Sequence, residues 1–145
     1  MLLADQGADV IKVERPAGDA MRSWPPMSEG FSENFASINR NKRSICLDLK
    51  DPVDVAHARE LVVTADVVIE NFRPGVMDRL GLGYDATSGV NPALIFCSIS
   101  AFGQSGPRSN EGGFDLTMQA MAGVMSVTGE PGGSPVTVPY YQLTP

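Results

Sequence analysis

The chain has 145 residues, 43% of them hydrophobic, which suits a single globular domain with a real core. Seventeen acidic residues outnumber 11 Lys and Arg, and the net charge of −6 argues against a general nucleic-acid binder, because nucleic-acid backbones require a basic face. No apolar run is long enough to span a bilayer and residues 1–5 do not resemble a signal peptide, so we expect no membrane segment and no leader.

The first part of the chain predicts a helix end, a strand and a long loop. Residues 1–6 resemble the last turn of a helix, and residues 9–14 alternate as a strand with Arg15 at its tip. Prolines, glycines and apolar side chains interrupt 16–33, which we interpret as a packed surface loop. A short helix is expected at 33–38.

Three cations follow within four residues, at Arg40, Lys42 and Arg43. Such a cluster has two interpretations on composition alone. It is a solvated turn, which we favour, or it is a binding site for an anion or a phosphate.

Strand and helix alternate through the rest of the chain. Apolar strands are predicted at 44–49, 67–69 and 94–100, and a helix begins after Asp51 with proline at its first position. A further helix is expected at 114–125. Short elements complete the pattern, with helical segments at 76–80 and 84–89 and an extended segment at 136–141. This alternation predicts an α/β domain with a mainly parallel sheet.

The two cysteines, Cys46 and Cys97, each fall in a strand that we predict to be buried. We interpret them as two reduced core thiols rather than as a disulfide or as metal ligands. Reduced thiols fit a cytoplasmic protein, and we expect no metal site.

Glycine-rich segments provide no nucleotide fingerprint. The Gly-Leu-Gly at 81–83 follows a helix instead of a strand, and the Gly-Gln-Ser-Gly at 103–106 lacks the Gly-Lys-Ser/Thr ending of a phosphate loop. No Gly-x-Ser-x-Gly elbow, Cys-x-x-Cys pair or His-Glu-x-x-His helix occurs. Dehydrogenase, Walker-type nucleotidase, serine hydrolase and zinc enzyme classes therefore have no support.

Polar and aromatic side chains collect instead at the predicted strand tips. Arg15, Lys50 and the pair Asn71-Phe72 lie at or just beyond strand ends, and Arg79 lies one short helix further on. The carboxyl ends of parallel strands meet at one edge of a sheet, where ligands bind. Guanidinium groups fork onto phosphates, and an aromatic ring offers a purine an apolar neighbour.

A plainer interpretation competes with this ligand site. Arg15 and Arg79 each follow an acid in the sequence, Glu14 and Asp78. If these neighbours pair, the strand tips carry only solvent-exposed ion pairs, which contribute little to stability.

Five spaced blocks carry a family resemblance: Ala-Asp-Val-Ile-Lys-Val-Glu-Arg-Pro at 8–16, Asn-Arg-Asn-Lys-Arg-Ser at 39–44, Leu-Asp-Leu-Lys at 47–50, Val-Ile-Glu-Asn-Phe-Arg-Pro-Gly-Val-Met at 68–77 and Ser-Ile-Ser-Ala-Phe-Gly-Gln-Ser-Gly-Pro at 98–107. Together they resemble the class III coenzyme A transferases, which include formyl-CoA transferase, carnitine CoA-transferase and α-methylacyl-CoA racemase. The resemblance covers nearly the whole chain.

The resemblance implies a Rossmann-like, three-layer domain in an interlocked homodimer, with residues 1–145 forming part of the large CoA-binding domain. It implies a site for CoA or acyl-CoA built by Arg15, Leu47, Lys50, Asn71, Phe72, Arg79 and Leu80. It also implies that an aspartate attacks the acyl-CoA thioester to give a mixed anhydride. An aspartyl-CoA thioester then forms as the acyl group and the acceptor acid exchange.

The chain departs from the family pattern at both ends. We expect it to lack the family's first strand, its glycine-rich lid and its second, smaller domain. Ungapped counting places the nucleophilic aspartate at Thr144, and a small shift places it at Gln142, while no acid follows Glu130. Phe114 stands where the racemase branch has a histidine before the acid at Asp115, which argues against racemisation.

Three interpretations of function stay open. The chain is a module that binds CoA or acyl-CoA without turnover, half of a two-chain transferase, or a folded relic that binds nothing. We favour the first and third over the second. A sheet that lacks its first strand leaves an unpaired edge, so we also expect a homodimer.

Overall fold

Two parallel strand pairs organise the structure, a computed structural model that describes residues 1–138. One unit comprises Met1–Asp66 and Asp78–Leu94. The other comprises Val67–Met77 and the described residues from Ile95 onward. Each unit contains one parallel pair, and the prediction of an α/β fold with parallel strands is confirmed. The described strands lie in separate two-stranded sheets rather than in one continuous sheet.

In chain order the elements are α1 (Leu2–Asp5), β1 (Val10–Glu14), a 3-10 helix (Ala20–Ser23), β2 (Met27–Ser28), β3 (Phe31–Ser32), α2 (Glu33–Asn39), β4 (Lys42–Cys46), α3 (Pro52–Thr64), β5 (Val67–Glu70), α4 (Val76–Arg79), α5 (Tyr84–Ser88), β6 (Ile95–Ser98), α6 (Asp115–Met121) and a second 3-10 helix (Val124–Val127). Strands β2 and β3 form a small antiparallel hairpin inside the segment that we predicted as a loop.

Strands β1 and β4 pair in parallel, from Val10 opposite Lys42 to Glu14 opposite Cys46. The backbone N–H of Leu47 donates to the carbonyl of Glu14 at 2.9 Å and extends this ladder by one bond. Strand β4 starts two residues earlier than the sequence predicted, because pairing with β1 draws the polar Lys42 and its neighbour into the ladder.

Helix α3 begins where the sequence predicts. The carboxylate of Asp51 accepts from the N–H of Val53 at 2.8 Å, and Pro52 occupies the first turn. At the other end the side-chain amide of Asn91 donates to the carbonyl of Ala65 at 2.8 Å, which satisfies backbone left open beyond the helix. Helix α3 contributes Ala58 and Val62 to the core of the first unit, whose other buried apolar residues are Ala4, Leu47, Leu82 and Leu94.

Strands β5 and β6 pair in parallel from Val67 opposite Ile95 to Glu70 opposite Ser98. The N–H of Ile99 donates to the carbonyl of Glu70 at 2.9 Å, so this ladder also gains one bond beyond its strands. The two pairs therefore end in the same way, with a glutamate carbonyl accepting from the residue after the partner strand.

Both cysteines lie in strands as predicted, Cys46 in β4 and Cys97 in β6, but both are exposed free thiols. The expectation of buried core thiols was wrong. An apolar run indicates a strand, but whether a given side chain is covered depends on what packs over the sheet. For example, Ile95 on β6 is 63% exposed, and Ile99, just after that strand, is 51% exposed.

The predicted helix at 114–125 is shorter in the structure. It ends at Met121, because Gly123 adopts a left-handed conformation with φ of +76°, and a 3-10 turn follows. Of the extended segment predicted at 136–141, residues 136–138 have no regular secondary structure and the rest lies outside the described residues.

Candidate functional site

The parallel register brings two of the expected site residues to neighbouring strand tips. Arg15 follows the last residue of β1, and Leu47 follows the last residue of β4 directly opposite. Leu47 is only 5% exposed, whereas Arg15 is exposed. The first unit thus presents an exposed cation after one strand of the pair and a buried apolar side chain after the other.

A buried carboxylate lies immediately before Arg15. Glu14 is only 6% exposed, and its two oxygens accept from Arg22 Nε and Nη2, each at 2.8 Å. The hydroxyl of Ser44 donates to it at 2.7 Å and the backbone N–H of Asp19 at 3.0 Å. Each carboxylate oxygen therefore accepts two hydrogen bonds, and a buried charge is tolerated when it is hydrogen-bonded in this way.

These donors lower the pKa of Glu14 to about 2. The bidentate bond from Arg22 is the largest cause, and burial, which raises the pKa, opposes it. Lys12 and Arg22 both lie over the ring of Phe35, at 4.6 and 4.0 Å from its centroid. Phe35 on α2 thus contacts a cation of β1 and a cation of the loop that follows it.

The interpretation as exposed ion pairs between sequence neighbours does not hold for Arg15. Glu14 pairs with Arg22, and Arg15 Nε donates instead to the backbone carbonyl of Gly18 at 2.9 Å. Within residues 1–138 no carboxylate pairs with Arg15.

Lys50 and Arg79 are also exposed and have no carboxylate partner among the described residues. Lys50 ends the turn after β4, where its N–H donates to Asp48 Oδ1 at 3.0 Å. Asp78 does not pair with Arg79 but lies against Gly83, where an added Cβ would come within 1.9 Å of its Oδ1. Leu80, next to Arg79, is half-buried.

The second unit holds the two other expected site residues, Asn71 and Phe72, at the tip of β5. The amide of Asn71 donates to the carbonyl of Ile99 at 2.7 Å and so ties this tip to the end of β6. The N–H of Phe72 donates to Glu70 Oε2 at 2.7 Å, and its side chain is 45% exposed. The ring is therefore partly exposed, and Asn71 Oδ1 accepts no hydrogen bond within residues 1–138. Thr144 and Gln142 lie outside the described residues.

The cationic turn behaves as a paired, solvated turn. Arg40 forms a two-bond pair with Asp5, at 3.1 and 2.7 Å, and Arg43 donates to Asp9 through Nε at 2.9 Å. The side chain of Asn41 adds a third bond to Asp5 at 3.0 Å. Acids thus pair with both guanidinium groups, which favours the interpretation as a solvated turn, while the third cation, Lys42, donates to Asn39 Oδ1 at 3.0 Å.

Sequence reasoning missed Arg22 and Gly18, which together shape the surroundings of Arg15. Arg22 binds Glu14, which lies eight residues earlier at the end of β1. Neither helix nor strand periodicity predicts a contact over that separation. The available signal was a glycine and an arginine inside a loop too apolar to be a plain linker.

Residues 1–138 contain neither a membrane-spanning helix nor a cluster of metal-binding side chains. No helix there combines the length and the apolar character needed to cross a membrane. No group of three or more His, Cys, Asp or Glu side chains in that range is placed to hold a metal ion.

Each unit therefore presents polar or charged side chains just after its parallel strands, where α/β proteins commonly bind ligands. The comparisons are more specific. Residues 1–143 match CoA-transferase family III, and the chain belongs to that family.

Named relatives agree with this assignment. The chain is 48% identical over 138 residues to succinyl-CoA:glutarate CoA-transferase of Mus musculus, covering 94% of this chain and 32% of that protein. It is 50% identical over 143 residues to succinate–glutarate CoA-transferase of Agrobacterium fabrum, covering 93% and 36%. The chain therefore spans about a third of the length of the curated relatives it matches.

A solved structure of a CAIB/BAIF family protein from Brucella suis superposes with a TM-score of 0.88 at 45% identity. The match covers 94% of this chain and 38% of that one.

The low pKa of Glu14 predicts a specific pH dependence of stability. The carboxylate titrates near 2 in the folded chain and near its ordinary value of 4.5 when unfolded, so the unfolded state binds more protons between these values. Its contribution is complete above about pH 4.5 and is lost as the pH falls towards 2. Because Arg22 is half exposed and solvent screens the pair, we expect a loss of about 2 kcal/mol.

Urea unfolding at a series of pH values tests this prediction with Glu14→Gln. The variant should be less stable at pH 7 and should show a flatter decline in unfolding free energy below pH 4.5. Glu60→Gln, which removes an exposed carboxylate on α3, is the matched control. Parallel pH profiles for wild type and Glu14→Gln would contradict the assignment.

Proposed function

We propose that this chain supplies the CoA-binding part of a CoA-transferase, an enzyme that moves coenzyme A between an acyl-CoA and a carboxylic acid. The observation that carries the proposal is the set of cations at or near strand tips, Arg15, Lys50 and Arg79, which have no carboxylate partner within residues 1–138. CoA carries phosphates at its nucleotide end, and such cations are suited to them.

Each unit has its own proposed contacts. In the first unit we assign phosphate contacts to Arg15, Lys50 and Arg79, and apolar contacts to Leu47 and Leu80. In the second unit we assign an adenine contact to Phe72, whose ring is half exposed. Asn71 ties the tip of β5 to the end of β6 through its bond to Ile99, and its side-chain oxygen can still accept a hydrogen bond. The ligand is CoA or acyl-CoA, and the proposal includes no metal.

We further propose that residues 1–145 alone bind this ligand without acyl transfer. The family resemblance places a nucleophilic aspartate near Thr144 or Gln142, and no Asp or Glu follows Glu130 in these residues. Transfer requires a carboxylate that forms an anhydride with the acyl group and then a thioester with CoA, which neither an amide nor a hydroxyl can do. The names of the mouse and Agrobacterium relatives make succinyl-CoA and glutarate the first substrates to test.

Two properties of the whole protein belong to the same proposal. We place it in the cytoplasm, because both cysteines are free thiols. We also propose a homodimer, because apolar side chains of the second unit are uncovered, including Ile69 at 55% and Ile95 at 63% exposed. Size-exclusion chromatography with light scattering should give twice the mass of one chain, and a monomer across the micromolar range would contradict the dimer.

The binding proposal predicts which cations matter. Calorimetric titration should show CoA binding to the wild-type chain, and Lys50→Ala and Arg79→Ala should each weaken it about tenfold, the loss expected for one charge-assisted phosphate contact. Arg59→Ala is the matched control. Arg59 also lacks a carboxylate partner in the described chain, but it lies on α3, where it donates to the carbonyl of Ala86 at 3.3 Å. Absence of binding at millimolar CoA would rule out the proposal.

The turnover proposal has its own assay. Residues 1–145 mixed with succinyl-CoA and glutarate should form no glutaryl-CoA above the uncatalysed rate, as measured by chromatography of the CoA esters. Formation of glutaryl-CoA that disappears in Arg79→Ala would show that this chain carries out transfer unaided.

A further inference from the structure

Two hydrogen bonds close a turn around Arg15. The backbone N–H of Gly18 donates to the carbonyl of Arg15 at 2.8 Å, and Arg15 Nε donates back to the carbonyl of Gly18 at 2.9 Å. The backbone and the side chain of Arg15 are therefore both held by the same residue. Its two terminal nitrogens have no hydrogen-bond partner within residues 1–138.

Gly18 in turn lies close to the ion pair of the buried Glu14 and the half-exposed Arg22. Its φ of +75° is one that residues with a side chain rarely adopt. A Cβ at this position would lie 3.1 Å from Arg22 Cδ and 3.8 Å from Glu14 Oε2. The next residue, Asp19, donates its N–H to the same Glu14 oxygen at 3.0 Å. The turn around Arg15 thus rests directly on the pair formed by Glu14 and Arg22.

That pair is held by several contacts from neighbouring elements. Arg22 binds Glu14 through two parallel bonds of 2.8 Å, and Ser44 Oγ adds a third bond from β4 at 2.7 Å. The guanidinium of Arg22 also lies over the ring of Phe35 at 4.0 Å, and Lys12 bonds Asp19 on the other side of the loop. Bidentate pairing fixes geometry as well as charge.

We propose that Glu14, held by Arg22, is a positioning residue for Arg15: it closes the turn at Gly18 so that the Arg15 guanidinium is set in place to receive a phosphate of CoA. The inference rests on the proposed function and deepens it. An arginine side chain loses considerable rotamer freedom when it binds a phosphate, and a turn that restricts it beforehand reduces that loss. Glu14 touches no ligand and acts only through the turn.

A double-mutant cycle measured by CoA titration tests this role. Arg15→Ala should weaken CoA binding about tenfold or more, and Glu14→Gln about fivefold. The double variant should bind no more weakly than Arg15→Ala alone, because without the guanidinium there is nothing left to position. A general loss of structure would instead add its effect to that of Arg15→Ala.

Arg22→Ala and Arg22→Lys keep the test decisive if Glu14→Gln folds poorly, since Arg22 is half exposed. Arg22→Ala should repeat the non-additive loss, and Arg22→Lys, which keeps a cation for Glu14, should recover part of it. Circular dichroism and urea unfolding confirm that each variant is folded at the titration temperature.

The outcomes separate the two proposals. No CoA binding by the wild-type chain overturns the proposed function and this inference together. CoA binding that is indifferent to Arg15→Ala, or losses at Glu14 and Arg15 that simply add, overturns the inference and leaves the proposed function standing.

Discussion

Parallel pairing of short strands is the constraint on which the rest of this chain depends. Two parallel neighbours cannot be joined by a tight turn, so the chain must leave each strand tip, cross and return. The long segment between β1 and β4 and the helices between β5 and β6 are these crossings. Because each pair ends at the same edge, the residues just after its strands lie side by side. Arg15 beside Leu47 and Asn71 beside Ile99 both follow from this constraint.

The loop after β1 shows how a charge can be used to shape an irregular segment. Residues 16–33 lack a continuous element to supply backbone hydrogen bonds, and several of their apolar side chains are exposed, including Phe31 at 74%. The carboxylate of Glu14 instead fixes part of this loop by accepting hydrogen bonds from it. It gathers Arg22, Asp19 and Ser44 from the loop and from β4, and the strength of these bonds is reflected in its depressed pKa. A neutral residue there could accept from fewer donors and would leave Arg22 without its partner.

Local signals in the sequence were enough for much of the fold. Asp51 and the proline after it predict the start of α3, and the β-branched run at 67–69 predicts β5, because both depend on near neighbours in the chain. Features decided by distant partners were missed or misjudged. The early start of β4 is set by its register with β1, and the exposure of Cys97 is set by what covers the sheet. For α6 a local signal did exist, because Gly123 favours a helix end. The prediction extended the helix to 125 because apolar residues continue beyond that glycine, and this extension was wrong.

The candidate site divides in the same way. The cations and the aromatic ring at strand tips could be predicted because parallel topology dictates where tips collect. The partner of Glu14 could not, since the adjacent Arg15 and the more distant Arg22 are equally plausible until the loop is folded. The family resemblance supplied CoA as the proposed ligand, and the match to CoA-transferase family III over residues 1–143 confirms the family on which that proposal rests.

Backbone hydrogen exchange with and without CoA tests the central claim, that these strand tips hold CoA, most directly. The account predicts that saturating CoA slows exchange at the residues after β1, β4 and β5, within 15–22, 47–50 and 71–73. It predicts no change along 53–64 of α3 or in the cationic turn at 39–43. Exchange that CoA leaves unchanged at the strand tips, or protection confined to the cationic turn, would contradict it.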